Sequence, residues 1–201
     1  MHIVAIIVLY PGCAYSEVAT AYALLSEFGT VLLAGPTREP VTTERDLTLV
    51  PHISYAQAAQ ANPSFLIVPG GDFSSLIGNI EMADLVKRYK EQQSWFCSIG
   101  MGTAALAQYG VFDGKQVTHT CTASHLRTNP NPQLLAQTAP WLSLARHVEE
   151  NVVADRFAIT AKPWATVEFA VTIAIVGGFL DKEAAIKRSD YLFGKPSLNS
   201  N

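Results

Sequence analysis

The chain has 201 residues, 49% of them hydrophobic and only 15% charged, with a formal net charge of −3. That length fits one sizeable domain, the apolar balance excludes a disordered chain, and the mild negative charge argues against nucleic acid or an anionic membrane as partner. The three cysteines, Cys13, Cys97 and Cys121, are too few and too scattered for a disulfide framework or a zinc site, and they fit a reducing cytoplasm.

In chain order, residues 1–9 lack the positive start and small-residue cleavage site of a secretory signal, and the apolar run 3–9 predicts a buried strand. Tyr10-Pro11-Gly12-Cys13 turns the chain. Residues 16–28 then place Val18, Tyr22, Leu25 and Phe28 at helical spacing. The run 31–34 predicts a second strand. Residues 36–51 break the rhythm with polar sequence around Leu47-Thr48-Leu49-Val50, and a small edge hairpin is expected near 40–50. The run 65–68 predicts a strand ending in Pro69-Gly70-Gly71-Asp72. Residues 80–92 carry Met82, Leu85, Val86 and Tyr89 on one side and charges on the other, as a surface helix does. The run 95–99 predicts a strand leading into a short helix of small residues over 103–108. Thr128 to Pro132 reads as a loop, and 152–160 as a strand interrupted by polar residues. Residues 166–179 predict a buried helix; the apolar stretch 169–180 is too short to span a bilayer and contains Gly177-Gly178. Residues 194–201 read as a tail.

Short apolar runs alternating with helices predict an α/β fold with a mostly parallel central sheet. No repeat or linker interrupts the pattern, so residues 1–193 are expected to form a single domain. In such a sheet, ligands bind beyond the carboxyl ends of the strands, and three of those ends are unusual. The first is Tyr10-Pro11-Gly12-Cys13 with Glu17 early in the following helix. Glu17 is either an ordinary N-terminal helix charge or a group aimed at a ligand. The second is Gly70-Gly71, either a plain tight turn or a turn whose exposed N–H groups hold an oxyanion. The third is Ser98-Ile99-Gly100-Met101-Gly102. A nucleophile elbow requires small residues two before and two after the nucleophile, and Ser98 and Gly102 meet that demand. The residue between them, Gly100, has no side chain.

Four blocks together resemble the ThiJ/PfpI superfamily. They are Tyr10-Pro11-Gly12 with Glu17, Phe65 to Gly71, Gly100 to Ala107 with Gly110 to Lys115, and Ile159-Thr160 with Thr166 to Ala170. The elbow block is most similar to the isonitrile hydratase branch and the sensor domains of AraC-type regulators. The resemblance implies a class I glutamine amidotransferase-like, flavodoxin-like sandwich with helices on both faces, and a homodimer. It also implies a site. An elbow cysteine attacks a carbonyl-like or isonitrile carbon, an acid at the position of Glu17 shuttles its proton, and the turn at Gly71 supplies oxyanion N–H groups.

Two departures matter. The family's cysteine falls on Gly100. Its histidine falls on Thr120, with His119 one place early, and a one-residue slip turns a strand side chain to the opposite face. Glycine adopts the strained elbow geometry without the usual cost, which fits a lost or altered activity. Cys97 reads as a buried apolar cysteine. Cys13 reads as a packed loop cysteine or as a displaced thiol, and Cys121 as a neighbour of the pocket rim. Ser98 with His119 offers a shifted Ser–His frame, but it needs Phe96 where a small residue belongs. His2, His52, His125 and His147 have no metal-ligand spacing, so neither metal nor cofactor is expected. Trp164, in Lys162-Pro163-Trp164-Ala165, either caps the pocket or packs at a subunit contact.

The expected function is a non-catalytic or repurposed binder or sensor of a small polar metabolite, with a pocket formed by Glu17, Gly71, Gly100, Met101 and Thr120. The alternative is an enzyme of the isonitrile hydratase or glyoxalase/deglycase type. It would use Glu17 with water, Cys13 or Ser98, with Gly71 and Met101 as oxyanion donors.

Overall fold

The computed structural model describes residues 3–122 and 132–193. His2, His125, the loop read over Thr128 to Pro132 (save Pro132 itself, which opens a helix) and the tail 194–201 lie outside them.

The charge-free run at the start forms β1 (Ile3–Val8), and Val4 to Leu9 are fully buried. A strand buried from Val4 to Val8 must be covered on both faces, as in a parallel sheet between helix layers. β2 (Thr30–Gly35), β6 (Phe65–Val68) and β7 (Trp95–Ile99) follow the predicted runs. The region 152–160 is not one strand: β10 (Val152–Asp155) and β11 (Ala158–Ala161) pair antiparallel, and the polar interruption is the turn Arg156-Phe157 between them. With β5 (Ile53–Ser54) these make a seven-stranded sheet in the order β10-β11-β7-β6-β1-β2-β5, parallel except for β10. The edge excursion is the small hairpin β3 (Val41–Thr42) and β4 (Thr48–Leu49). A second small ladder joins β8 (Gln116–Val117) to β9 (Arg146–His147).

The helices are α1 (Tyr15–Leu25), α2 (Tyr55–Ala58), α3 (Ile80–Glu91), α4 (Gly102–Ala107), α5 (Pro132–Leu142), α6 (Thr166–Val176) and α7 (Lys182–Phe193). α1 packs on α6, α6 on β11 and α7, and α4 on β6, β7 and α5. Asn79 caps α3 by accepting the Met82 N–H at 2.9 Å, which sets the helix start one residue later. α5 and α7 carry no distinct signal in the sequence. α5 contains Pro140 and follows a Pro-Asn-Pro run, and α7 is polar along most of its length. No helix among the described residues is long and apolar enough to cross a membrane.

β1 hydrogen-bonds to β2 on one side and β6 on the other. The chain leaves β1 for β2 and later returns to β6, so the loops after β1 and β6 diverge. That topological switch point opens a crevice at the carboxyl ends of the strands.

Candidate functional site

The crevice is built by hydrogen bonds that clamp the ends of β1 and β6 together. The buried Tyr10 hydroxyl reaches both the Pro69 and Gly70 carbonyls, at 2.6 and 2.7 Å. Gly12 and Gly70 bracket the crossing: the Ala14 N–H donates to the Gly70 carbonyl at 2.8 Å and the Asp72 N–H to the Gly12 carbonyl at 3.0 Å. Gly71 lies opposite Cys13 in this bridge, at φ +107°. A Cβ on Gly71 would stand 2.1 Å from the Gly12 carbonyl oxygen, so no other residue fits. The Gly70-Gly71 turn is therefore forced by backbone crowding, whatever else it does.

This clamp sets the entry of α1 and delivers Glu17, in its first turn, into the crevice. Glu17 is only 6% exposed. Its Oε2 accepts the Gly70 N–H at 2.5 Å. A helix N-terminus and that hydrogen bond both favour a carboxylate, yet burial wins and raises the Glu17 pKa to about 7. The Gly70 N–H pulls it down, and Glu44 nearby pushes it up.

Gly100 sits at the β7–α4 turn with φ +55°. Its N–H donates to the Ala161 carbonyl at 3.0 Å, tying the turn to the end of β11. A Cβ on Gly100 would lie 3.2 Å from Glu17 Oε1 and 3.5 Å from Pro163 Cβ. Gly102 is also obligatory, because a Cβ there would stand 2.2 Å from the Val68 carbonyl oxygen. This is the geometry of a nucleophile elbow, with the small residues where the sterics require them and a hydrogen at its apex.

Glu17, Gly71, Gly100, Met101 and Thr120 line one cavity of about 350 Å³, together with Ala14, Ser16, Glu44 and Pro163. The Gly71 and Met101 N–H groups donate to no acceptor among the described residues, so both are available to a ligand oxygen. A larger hollow of about 530 Å³ beside α2 and α3 exposes charges of both signs, and none of the four sequence blocks reaches it.

Several candidates do not join the cavity. Cys13 is fully buried, and burial raises its thiol pKa, so it is a packed cysteine and lines no part of the cavity. Ser98 is fully buried with its hydroxyl 3.0 Å from the Thr103 hydroxyl, which makes it a packing residue of the turn. Cys97 is buried in the core, as its place in the strand predicts. Cys121 donates to the Met101 sulfur at 3.6 Å, behind the cavity wall. Thr120 lines the cavity and His119 does not; both lie past the end of β8, in irregular backbone. The His119 ring lies 4.4 Å from the ring of His147, its Nδ1 is buried with no partner among the described residues, and its pKa is lowered to about 4 by burial, with His147 and Lys162 adding to the effect. Trp164 is exposed and donates to the Asn151 side chain at 3.0 Å, so it does not cap the cavity.

Glu44 carries no signal in the sequence. It reaches the site only because the β3–β4 hairpin docks on the turn after β1, with the Glu44 N–H bonded to the Cys13 carbonyl at 3.1 Å and the Gly12 N–H to the Thr42 carbonyl at 2.9 Å. Pro163 likewise arrives from the loop after β11.

Comparison with known proteins places this architecture. The sequence matches the DJ-1/PfpI family over residues 3–175. Protein dj-1beta of Drosophila melanogaster is 29% identical over 181 residues, covering 85% of this chain and 87% of that protein. The crystal structure of Drosophila melanogaster DJ-1beta superposes with a TM-score of 0.79 at 25% identity, over 96% of this chain and 98% of that one. A ThiJ/PfpI family protein from Pseudomonas syringae shares the fold with a TM-score of 0.75 at 19% identity, over 100% of this chain and 80% of that one. The four sequence blocks, the elbow turn and these likenesses converge: the chain belongs to the DJ-1/PfpI family.

Proposed function

We propose that this protein is a non-catalytic or repurposed member of its family that binds a small polar metabolite at the Glu17–Gly100 cavity. The observation that carries this reading is Gly100. The elbow is intact in backbone geometry, but its apex offers a space facing Glu17 Oε1 where a nucleophile would stand. With a pKa near 7, Glu17 is protonated over much of the neutral range and donates a hydrogen bond to a ligand oxygen. Gly71 and Met101 line the same cavity, and neither N–H has an acceptor among the described residues. Three donors around a small cavity suit a carbonyl-like oxygen.

Acetamide is a suitable probe. Titrating it at pH 6 should shift the Gly71 and Met101 amide signals in nitrogen-15 NMR, and binding should weaken by about tenfold at pH 8 as Glu17 ionises. Unmoved amides at saturating probe would sink this reading.

The raised Glu17 pKa also favours a second reading, a hydratase in which Glu17 activates water without any thiol. Turnover of methylglyoxal and of a small isonitrile distinguishes the two. The comparison sets the unaltered protein beside a variant with Cys13, Cys97 and Cys121 all changed to serine, and beside Glu17→Gln. Turnover that survives the cysteine changes and fails in Glu17→Gln supports the enzyme. Absence of turnover in all three supports the binder.

We further propose a homodimer, following the family resemblance. Light scattering after size exclusion should give twice the chain mass of 21.7 kDa, and a mass equal to one chain would refute it.

A further inference from the structure

Four non-glycine residues among those described have a positive φ: Asp46, Gln93, Arg156 and Phe157. Three of them, Gln93, Arg156 and Phe157, line one hollow of about 260 Å³. This hollow is at the amino ends of β7 and β11, about 16 Å along β7 from the Glu17 cavity. Gln93 follows the end of α3, a position where glycine or asparagine is usual. Arg156 (φ +40°) and Phe157 (φ +63°) are the central pair of the β10–β11 hairpin turn, where Asn-Gly or Asp-Gly is usual. Each left-handed non-glycine residue is strained, and such strain gathers at functional sites. Here it holds three large side chains around the same space.

The chemistry of the lining is uneven in sign. Lys90, Lys115 and Arg156 all face the hollow, in a chain whose net charge is −3. The Lys90 ammonium donates to the Tyr109 carbonyl, and the Arg156 guanidinium donates to the Gly114 carbonyl and to Asp155. Arg146 reaches that same Gly114 carbonyl at 3.3 Å. The carboxylates nearby are Asp113 and Asp155, and Asp155 is already engaged by the Gln116 N–H and by Arg156. The Lys115 ammonium donates to no acceptor among the described residues, although its backbone pairs with Phe112 and Arg146. It is half-buried, and its pKa is lowered by burial and then by Lys90 and Arg156. Beside these cations stand Phe96, Val111 and Phe157, the last with its ring 5.3 Å from that of Trp95.

We infer that this hollow is a second ligand site, separate from the Glu17 cavity, which takes a phosphoryl oxyanion on Lys115 with Lys90 and Arg156 beside it. The apolar wall receives a flat group attached to that oxyanion. An anion there relieves the mutual repulsion of the cations and supplies the acceptor that Lys115 lacks.

The test titrates the full-length protein with inorganic phosphate and with phenyl phosphate by calorimetry, against sodium chloride at matched ionic strength. Saturable binding is expected for both, with phenyl phosphate about tenfold tighter if the ligand is a phosphorylated organic molecule. Equal affinity would assign the site to the free ion. Lys115→Gln and Lys90→Gln should each weaken phosphate at least tenfold, and two variants guard against one misfolding. Arg156→Gly should move stability and binding in opposite directions, raising Tm by about 2–4 °C as turn strain is relieved while weakening phosphate. No saturable binding beyond the chloride control overturns the proposal. So does undiminished binding in folded Lys115→Gln and Lys90→Gln proteins.

Discussion

Gly100→Cys is expected to produce a thiol that iodoacetamide alkylates at pH 7 at least about 100-fold faster than any of the native cysteines. Cys13, Cys97 and Cys121 are all buried, and burial raises the pKa of each. They hold little thiolate and offer little access. The introduced side chain would stand on the elbow with its Cβ 3.2 Å from Glu17 Oε1, at the wall of an open cavity. Below pH 7 the protonated Glu17 carboxyl can donate to a thiolate there and stabilise it. Combining Gly100→Cys with Glu17→Gln should weaken that stabilisation and slow alkylation by about tenfold. The change has a cost in stability. A side chain at φ +55° is strained, and the carboxyl must give by a few tenths of an ångström. About 1–2 kcal/mol is expected for the left-handed backbone, or roughly 2–8 °C in Tm for a chain of this size. Mass spectrometry of the alkylated protein checks the site directly. Labelling no faster than that of the native cysteines would show that Gly100 is not at an elbow apex facing the cavity.

Glu17→Gln is expected to stabilise the protein above pH 7 and to leave it nearly unchanged near pH 4. The sign follows from linkage. The Glu17 pKa is about 7 in the folded protein, against 4.5 as the ordinary value that the unfolded chain takes. Between those values the unfolded state releases its proton and the folded state keeps it. Stability therefore falls as pH rises from about 4.5 to about 7, by up to about 3 kcal/mol over that window. Glutamine has the same shape, still accepts the Gly70 N–H through its carbonyl oxygen, and carries no charge to desolvate. At pH 8 the variant should melt about 6–12 °C higher than the parent. His119 works in the opposite direction. Its pKa is lowered to about 4 from an ordinary 6.5, so its contribution is lost as pH falls through that range. In the parent the two effects oppose each other between about pH 4.5 and 6.5. In Glu17→Gln only the histidine effect remains, so stability should climb steadily from pH 4 to 6.5 and then level. Urea denaturation across pH 4–8 reads both slopes. Parallel curves for parent and variant would remove Glu17 from the buried, proton-holding role. A residue that stabilises the protein when its charge is deleted is one the fold tolerates for another purpose, and ligand binding is the purpose proposed here.

The sheet was legible because it is built from consecutive apolar residues. Runs such as Phe65–Val68 and Trp95–Ile99 have no alternative to burial on both faces, and they became strands at those residues. The elbow was legible for a steric reason: Gly102 lies against the end of β6, where a Cβ would stand 2.2 Å from the Val68 carbonyl oxygen. The sides taken by His119 and Thr120 were not legible from alternation, because β8 ends at Val117 and both residues lie in the irregular segment beyond it. Other features have no local signature. α5 and α7 lie in stretches whose pattern is blurred by proline or by polarity, and packing against α4 and α6 supplies what propensity lacks. The two consecutive left-handed residues Arg156 and Phe157 contradict the usual turn chemistry, and the β10–β11 pairing imposes them.

The alternation of strands and helices, the glycines at the crowded strand ends and the missing side chain at position 100 all follow from residue identity. Those properties depend on each residue's own volume, polarity and allowed backbone angles. Packing of the whole chain is what seals Cys13 and Ser98 from the cavity, brings Glu44 and Pro163 into it, and buries Glu17 deeply enough to raise its pKa to about 7. Burial and the proximity of distant segments are properties of the packed chain, and they set the free energy of a charge more strongly than the residue type that carries it.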